Sequence, residues 1–162
     1  MIDYRSAGYR DINTIVNMEI ENMKALREEI GGEFPEYDER HNDEPALVSI
    51  IEGNCGYAVV AEASEGYGDN RIVGALIALD EDLKVADEEE HDGLVIRNLF
   101  VDKEYRRAGI ATSMLAMAEE WALAHNYRGM RATINTPNEA ASTLFEGHGI
   151  STIAETRWKN LG

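Results

Sequence analysis

A chain of 162 residues with 44% hydrophobic content is long enough for one domain with a sizeable core, and its make-up is that of a globular protein. Thirty-one acidic residues against fifteen basic give a formal net charge of −16, a surface that repels nucleic-acid phosphates and anionic lipid headgroups. No run of about 18 apolar residues predicts a membrane span, the start MIDYRSAGYRD does not read as a signal peptide, and the single Cys55 excludes an internal disulfide and fits a reducing cytoplasm.

Residues Ile2 to Arg5 predict a short first strand. From Asp11, the apolar positions Ile12, Ile15, Val16, Ile20, Met23, Leu26 and Ile30 follow helical spacing, and Gly31-Gly32 supplies the stop. The polar stretch EFPEYDERHNDE reads as a long loop, a length often tied to function. Asp43-Glu44-Pro45 then starts a short helix with Leu47, Ile50 and Ile51 on its buried side, ended by Gly53. Two strands, Gly56 to Ala63 and Arg71 to Leu79, are joined by the turn EGYGDN as an antiparallel hairpin. After the acidic loop DEDLKVADEEEHD comes the strand Leu94 to Val101, apolar enough for both faces to be covered.

A helix follows, with Ile110, Met114, Leu115, Ala118, Trp121 and Ala122 as its apolar stripe, ending near Asn126. Arg128 to Thr136 is a further strand, Asn138 to Gly147 a helix, and Ile150 to Ala154 and Arg157 to Leu161 complete the set as terminal strands. There is no internal repeat and no second core. One mixed α/β domain over residues 1–162 is expected, with a sheet of six or seven strands and helices on both faces.

The stretch that carries chemistry is VDKEYRRAGIAT, residues 101–112, at the mouth of a helix. The first turn of a helix has N–H groups without intrahelical partners and the positive end of the macrodipole. Gly109 removes a side chain where a phosphate would approach the backbone, and Ala111 keeps the next approach clear. Arg106 and Arg107 can add charge-assisted contacts to phosphate oxygens, and Thr112 has its hydroxyl in the same turn. A loose [Arg/Gln]-x-x-Gly-x-[Gly/Ala] pattern arises by chance roughly 0.1–0.2 times in such a chain, so its position between a buried strand and an amphipathic helix gives it weight. Neither G-x-x-x-x-G-K-[ST] nor G-x-G-x-x-G after a strand is present.

Val101 to Thr112 resembles the acyl-CoA signature of the GNAT acyltransferase superfamily. Asn138-x-x-Ala141-x-x-Leu144-Phe145-Glu146-x-x-Gly149-Ile150 is similar to its C-terminal motif, N-x-x-A-x-x-L-Y-E-x-x-G-F, and the element order from Ile2 to Ile153 fits as well. The resemblance implies a GNAT-like fold whose two central strands, Leu94–Val101 and Arg128–Thr136, splay apart to admit acetyl-CoA as co-substrate, with no metal. Backbone groups of Leu99, Phe100 and Val101 would bond the pantetheine arm, and Arg107, Ala108, Gly109, Ile110, Ala111 and Thr112, aided by Arg106, would cradle the pyrophosphate. Asn138 would position the cofactor, and Ala141 and Phe145 would line its thioester end. A backbone N–H near Leu99 or Phe100 would stabilise the oxyanion. The implied reaction is direct attack of a primary amine on the thioester in a ternary complex.

Two positions depart from the family pattern. Phe145 stands where a tyrosine often protonates the leaving thiolate, and a phenyl ring has no proton to give. A thiol of pKa roughly 8–9 can leave as thiolate and be protonated by water, with Ser142 and Tyr105 as substitute donors. Many members carry a glutamate on or just before the fourth strand as general base, whereas this chain has GLVIRN there. Glu88, Glu89, Glu90 and Asp92 lie just upstream, and Asp92 is the candidate base.

Arg97 has two readings: on the same strand face as Leu99 it would reach a substrate carboxylate, and near the strand end it would form a surface salt bridge. The segment Glu33 to Glu44, with Phe34 and Tyr37, suits a cationic amine, although the whole chain is acidic. The histidines His41, His91, His125 and His148 show no metal-ligand spacing, and His125 suits a helix C-terminus. Acid excess with only four lysines, Lys24, Lys84, Lys103 and Lys159, fits a protein adapted to high salt. A non-catalytic acyl-CoA-binding or sensing module, a peptide or protein N-terminal acetyltransferase, and a homodimer all remain open to the sequence.

Overall fold

A computed structural model of the chain describes residues 1–30, 39, 42–53, 55–64, 66, 68–80, 93–132 and 139–151. Strand β1 (Ile2–Ser6) leads through a 3-10 turn (Tyr9–Asp11) into helix α1 (Ile12–Ile30). Helix α2 (Glu44–Gly53), the strands β2 (Gly56–Ser64) and β3 (Asn70–Asp80), and β4 (Gly93–Val101) follow. A 3-10 turn (Lys103–Tyr105), helix α3 (Ile110–Ala124), strand β5 (Gly129–Ala132) and helix α4 (Glu139–Gly147) complete the order.

The strands form one sheet in the order β1-β2-β3-β4-β5. The first four are antiparallel neighbours, whereas β5 runs parallel to β4 after the α3 crossover. Sequence patterning predicts six or seven strands, and the described residues contain five. Ile150 and Ser151 belong to no strand, and residues 152–162, like 133–136 of the expected fifth strand, lie outside the described residues.

Alternation along each strand divides the apolar side chains between two cores. On one face, Val59, Ala61, Val73, Leu76, Leu94 and Ile96 pack against Ile110, Met114, Leu115 and Ala118 of α3 and Phe145 of α4. On the other, Ala58, Val60, Ala75, Ile77 and Phe100 pack against Ile12, Ile15 and Val16 of α1 and Leu47 and Ile50 of α2. Helices therefore cover both faces. This is why β3 and the ends of β4 read as near-continuous apolar runs.

Near the β1 edge an ion cluster ties the chain start to the sheet. Arg5 donates to both carboxylate oxygens of Asp11, at 2.7 and 2.9 Å, and to Glu62 of β2 at 2.9 Å. That guanidinium holds the Asp11 carboxyl below its ordinary range.

Candidate active site

The fourth strand sets the geometry. Leu94 and Ile96 face the α3 core, and so do Leu99 and Val101. Even and odd positions can share a face only if one residue is inserted between them. The register shows it: Ile77 pairs with Asn98 and Ala78 with Ile96, leaving Arg97 as the extra residue of a β-bulge. The bulge turns Asn98 and Phe100 toward α1 and α2, where Phe100 is buried in the second core. Arg97 lies with them. Its Nη2 is 3.3 Å from Asp43 Oδ1 at the head of α2, so it does not share the face of Leu99.

The parallel pairing of β4 with β5 runs through Gly93↔Gly129, Leu94↔Met130 and Val95↔Arg131 to Ile96↔Ala132. The described pairs thus end at the bulge, and Leu99, Phe100 and Val101 lie beyond them.

Val101 leads into the loop that sequence analysis singles out. Arg106 folds back on the strand end, its Nε donating to the Val101 carbonyl at 3.0 Å. Arg107 adopts a left-handed backbone at φ 62°, and Gly109 does so at φ 79°, ψ 9°. Gly109 is the N-cap of α3, and having no side chain it caps nothing. The first-turn N–H groups of Ile110, Ala111 and Thr112 are therefore left to other acceptors, at the positive end of a 15-residue helix. A Cβ at Gly109 would meet nothing within 4 Å, so the approach to these groups is open. Arg106, Arg107, Ala108 and Gly109 are exposed, while Ile110 is buried and anchors the helix in the core. This set fits a phosphate group: three first-turn N–H groups without a side-chain cap, open space at the Gly109 Cβ position, and Arg106 and Arg107 just before it in the chain.

A cleft of about 140 Å³ lies beside this loop, lined by Met18, Glu21 and Asn22 of α1 and by Phe100, Asp102 and Arg106 among others. Val101 lines it as well. Burial holds the Asp102 carboxyl above its ordinary range, opposed by Arg71, whose Nη2 lies 3.2 Å away. The Arg71 guanidinium also sits 5.5 Å from the centre of the Tyr105 ring.

Phe145 is 6% exposed and packs with the α3 core, with Ala141 and Leu144 half-buried beside it. Ser142 Oγ points along α4 to Glu146 Oε1 at 3.5 Å. Asp92 and Asn138 lie outside the described residues. Two acids that the sequence reading did not single out as site residues stand out instead. Glu19 is 4% and Asp43 5% exposed, and Glu19 Oε2 accepts the Asp43 backbone N–H at 3.1 Å. A sequence signal existed for Glu19: it falls four residues after Ile15 and three after Val16, inside the buried stripe of α1. Among the described residues, no three His, Cys, Asp or Glu side chains are grouped to hold a metal, and no helix is long and apolar enough to cross a membrane.

Residues 23–150 match the model of the acetyltransferase (GNAT) family. The chain belongs to that family. Its fold is similar to that of a mutant Bacillus halodurans protein, with TM-score 0.79 at 16% identity over 98% of this chain and 99% of the other. A predicted acetyltransferase from Clostridium acetobutylicum, solved with acetyl-CoA, gives TM-score 0.72 at 19% identity over 99% and 97%. An aminoglycoside antibiotic 6′-N-acetyltransferase from Acinetobacter baumannii gives 0.70 at 15% identity over the whole of both chains. Among curated proteins none matches the sequence. The GNAT architecture expected from the two motifs is thus the observed one, with the fifth strand joined to the fourth in parallel.

Proposed function

We propose that this GNAT protein is an N-acetyltransferase that moves the acetyl group of acetyl-CoA to a primary amine, with residues 1–162 acting as one domain. The observation that carries the reading is the uncapped, side-chain-free N-terminus of α3 at Gly109, reached from the end of β4 through the 3-10 turn Lys103–Tyr105. Ile110, Ala111 and Thr112 would donate backbone N–H groups to the pyrophosphate, with Arg106 and Arg107 flanking it. Leu99, Phe100 and Val101, past the bulge, would meet the pantetheine arm and the thioester. Asn138 would position the cofactor, and Ala141 and Phe145 would stand toward its thioester end.

The acceptor would enter from the α1 side, through the cleft at Phe100, whose lining carries Glu21 and Asp102 beside Lys103 and Arg106. Its ammonium must lose a proton before attack, and Asp92 is the proposed base. The neutral nitrogen then attacks the thioester carbon in a complex of both substrates. A backbone N–H at Leu99 or Phe100 stabilises the oxyanion. As the C–S bond breaks, the attacking nitrogen gives up its second proton to water, and the departing thiolate takes a proton from water in turn, because Phe145 has none to donate. The solved relatives, one holding acetyl-CoA and one named for aminoglycosides, support a small-molecule amine as acceptor. The net charge of −16 argues against nucleic acid and anionic membranes as partners, and the lone Cys55 suits the cytoplasm.

Thermal unfolding with added acetyl-CoA tests the cofactor. A ligand that binds only the folded state adds roughly 2.7 kcal/mol at about 100 times Kd. An unmoved melting curve at millimolar acetyl-CoA refutes the reading. CoA release across a panel of amines tests the transfer. The second reading, a non-catalytic acyl-CoA-binding module, draws on the proton-free Phe145, and any amine-dependent turnover above background eliminates it.

A further inference from the structure

The bulge in β4 is a place where the ladder alone specifies register poorly. Shifting the extra residue by one position would exchange the faces of neighbouring side chains, as every one-residue slip does. The two cores hold Leu99 and Phe100 on their faces, and polar contacts hold Arg97 and Asn98 on the α1/α2 side. One carboxylate reaches both. Asp43 Oδ1 lies 3.3 Å from Arg97 Nη2, and Asp43 Oδ2 lies 3.5 Å from Asn98 Nδ2.

Asp43 is itself fixed at three points. Its backbone N–H donates to Glu19 of α1 at 3.1 Å, and its carbonyl accepts from Leu47 at 2.9 Å, opening α2. Its carboxylate sits at the positive end of α2, beside the Arg97 guanidinium. A carboxylate that is 5% exposed persists only with such partners. Glu19 thereby links α1 to the same point, so two helices and the strand meet at one side chain.

We infer that Asp43 is a positioning residue: it pins the β4 bulge in register and thereby sets the Leu99–Phe100 backbone at the thioester end of the site. Asp43 acts through Arg97 and Asn98 and touches neither substrate. The inference rests on the proposed role of β4 and adds to it the group that holds the strand in shape. The phosphate-binding loop at Gly109 is separate from this brace, so cofactor affinity and turnover respond differently to its loss.

The test compares Asp43→Asn, which keeps the size and one acceptor, with Asp43→Ala, which removes both. Hydrogen exchange of the 96–100 amides in the ligand-free protein reads the bulge directly. Exchange is expected to accelerate about tenfold in Asp43→Ala and by less in Asp43→Asn. In steady-state assays, kcat falls about 10- to 100-fold, because a small misplacement of the oxyanion donors is costly, while KM for acetyl-CoA stays within about twofold. Unchanged exchange in β4 overturns the inference. So does a raised KM for the amine with kcat intact, which would make Asp43 a substrate contact. If Asp43→Ala does not fold, exchange in Asp43→Asn decides the matter. A wild type with neither an acetyl-CoA shift nor turnover sinks the acetyltransferase reading alone, because the exchange comparison needs no ligand.

Discussion

Gly109 offers the sharpest test of the phosphate end. Its backbone is left-handed, and a Cβ there would meet nothing within 4 Å. Gly109→Ala therefore carries no steric cost in the ligand-free protein, only the conformational one of about 1–2 kcal/mol. In a chain of this size each kcal/mol moves the melting temperature by roughly 2–4 °C, so a drop of about 2–8 °C is expected. Gly109→Glu has the same backbone cost and should melt close to it. The two variants separate when acetyl-CoA is added. A carboxylate about 4 Å from a phosphate charge, at an effective dielectric constant of about 20, is repelled by about 4 kcal/mol. That is nearly three factors of ten in Kd. Calorimetric titration with acetyl-CoA should therefore rank wild type, Ala and Glu in falling affinity. The Glu penalty should shrink at high salt because the loop is exposed. Wild-type affinity in Gly109→Glu would refute the phosphate placement. Unchanged melting of both ligand-free variants would refute the left-handed turn.

The packing and the charges set further outcomes. Arg5→Met leaves the Asp11 and Glu62 carboxylates without their guanidinium and should cost about 3 kcal/mol at pH 7, read by urea unfolding. Arg5 lowers the folded-state pKa of Asp11, so its contribution is complete above the unfolded value of about 3.9 and is lost as pH falls through the folded one; the gap between wild type and variant should close in acid, and a widening gap would contradict the pairing. Raising salt from 0.1 to 1 M shortens the screening length from about 10 to about 3 Å, so a chain of net charge −16 should melt higher, whereas a falling melting temperature would rule out high-salt adaptation. Phe145→Ala should cost about 3–5 kcal/mol as a core truncation. Phe145→Tyr should fall far short of the 10²-fold gain in kcat that a limiting proton donor would give, and a gain of that size would show that thiolate protonation limits turnover.

Much of this fold could be read from periodicity. The stripe Ile12, Ile15, Val16 marks α1, and the run Ile110, Met114, Leu115, Ala118 marks α3, because each helix buries one side against the sheet. The β2–β3 hairpin was legible because its strands are long and bounded by a polar, glycine-containing turn. The fifth strand was less so. GMRA carries no clean alternation, and its four residues are half-buried or exposed, so parallel pairing with β4 rather than side-chain pattern defines it.

The site divides along the same physical line. Its proposed phosphate end is local: a strand end, a left-handed glycine and a helix N-terminus follow one another within about a dozen residues, so sequence spacing carries the geometry. Its proposed chemical end is not local. The bulge at Arg97 inserts one residue into a mostly apolar run, and the only trace in the sequence is the polar pair Arg97-Asn98 between Ile96 and Leu99. Asp43, 54 residues away, meets that pair only because α2 packs over the sheet. Among 31 acids, the local pattern marks Asp43 only as the start of α2, beside the exposed Glu44, and does not show that it is buried. Burial does so, because a carboxylate closed off from water must be matched by charge and hydrogen bonds, and those partners identify the strand it holds. Where the chain's acids are so numerous, the informative ones are those that the fold removes from solvent.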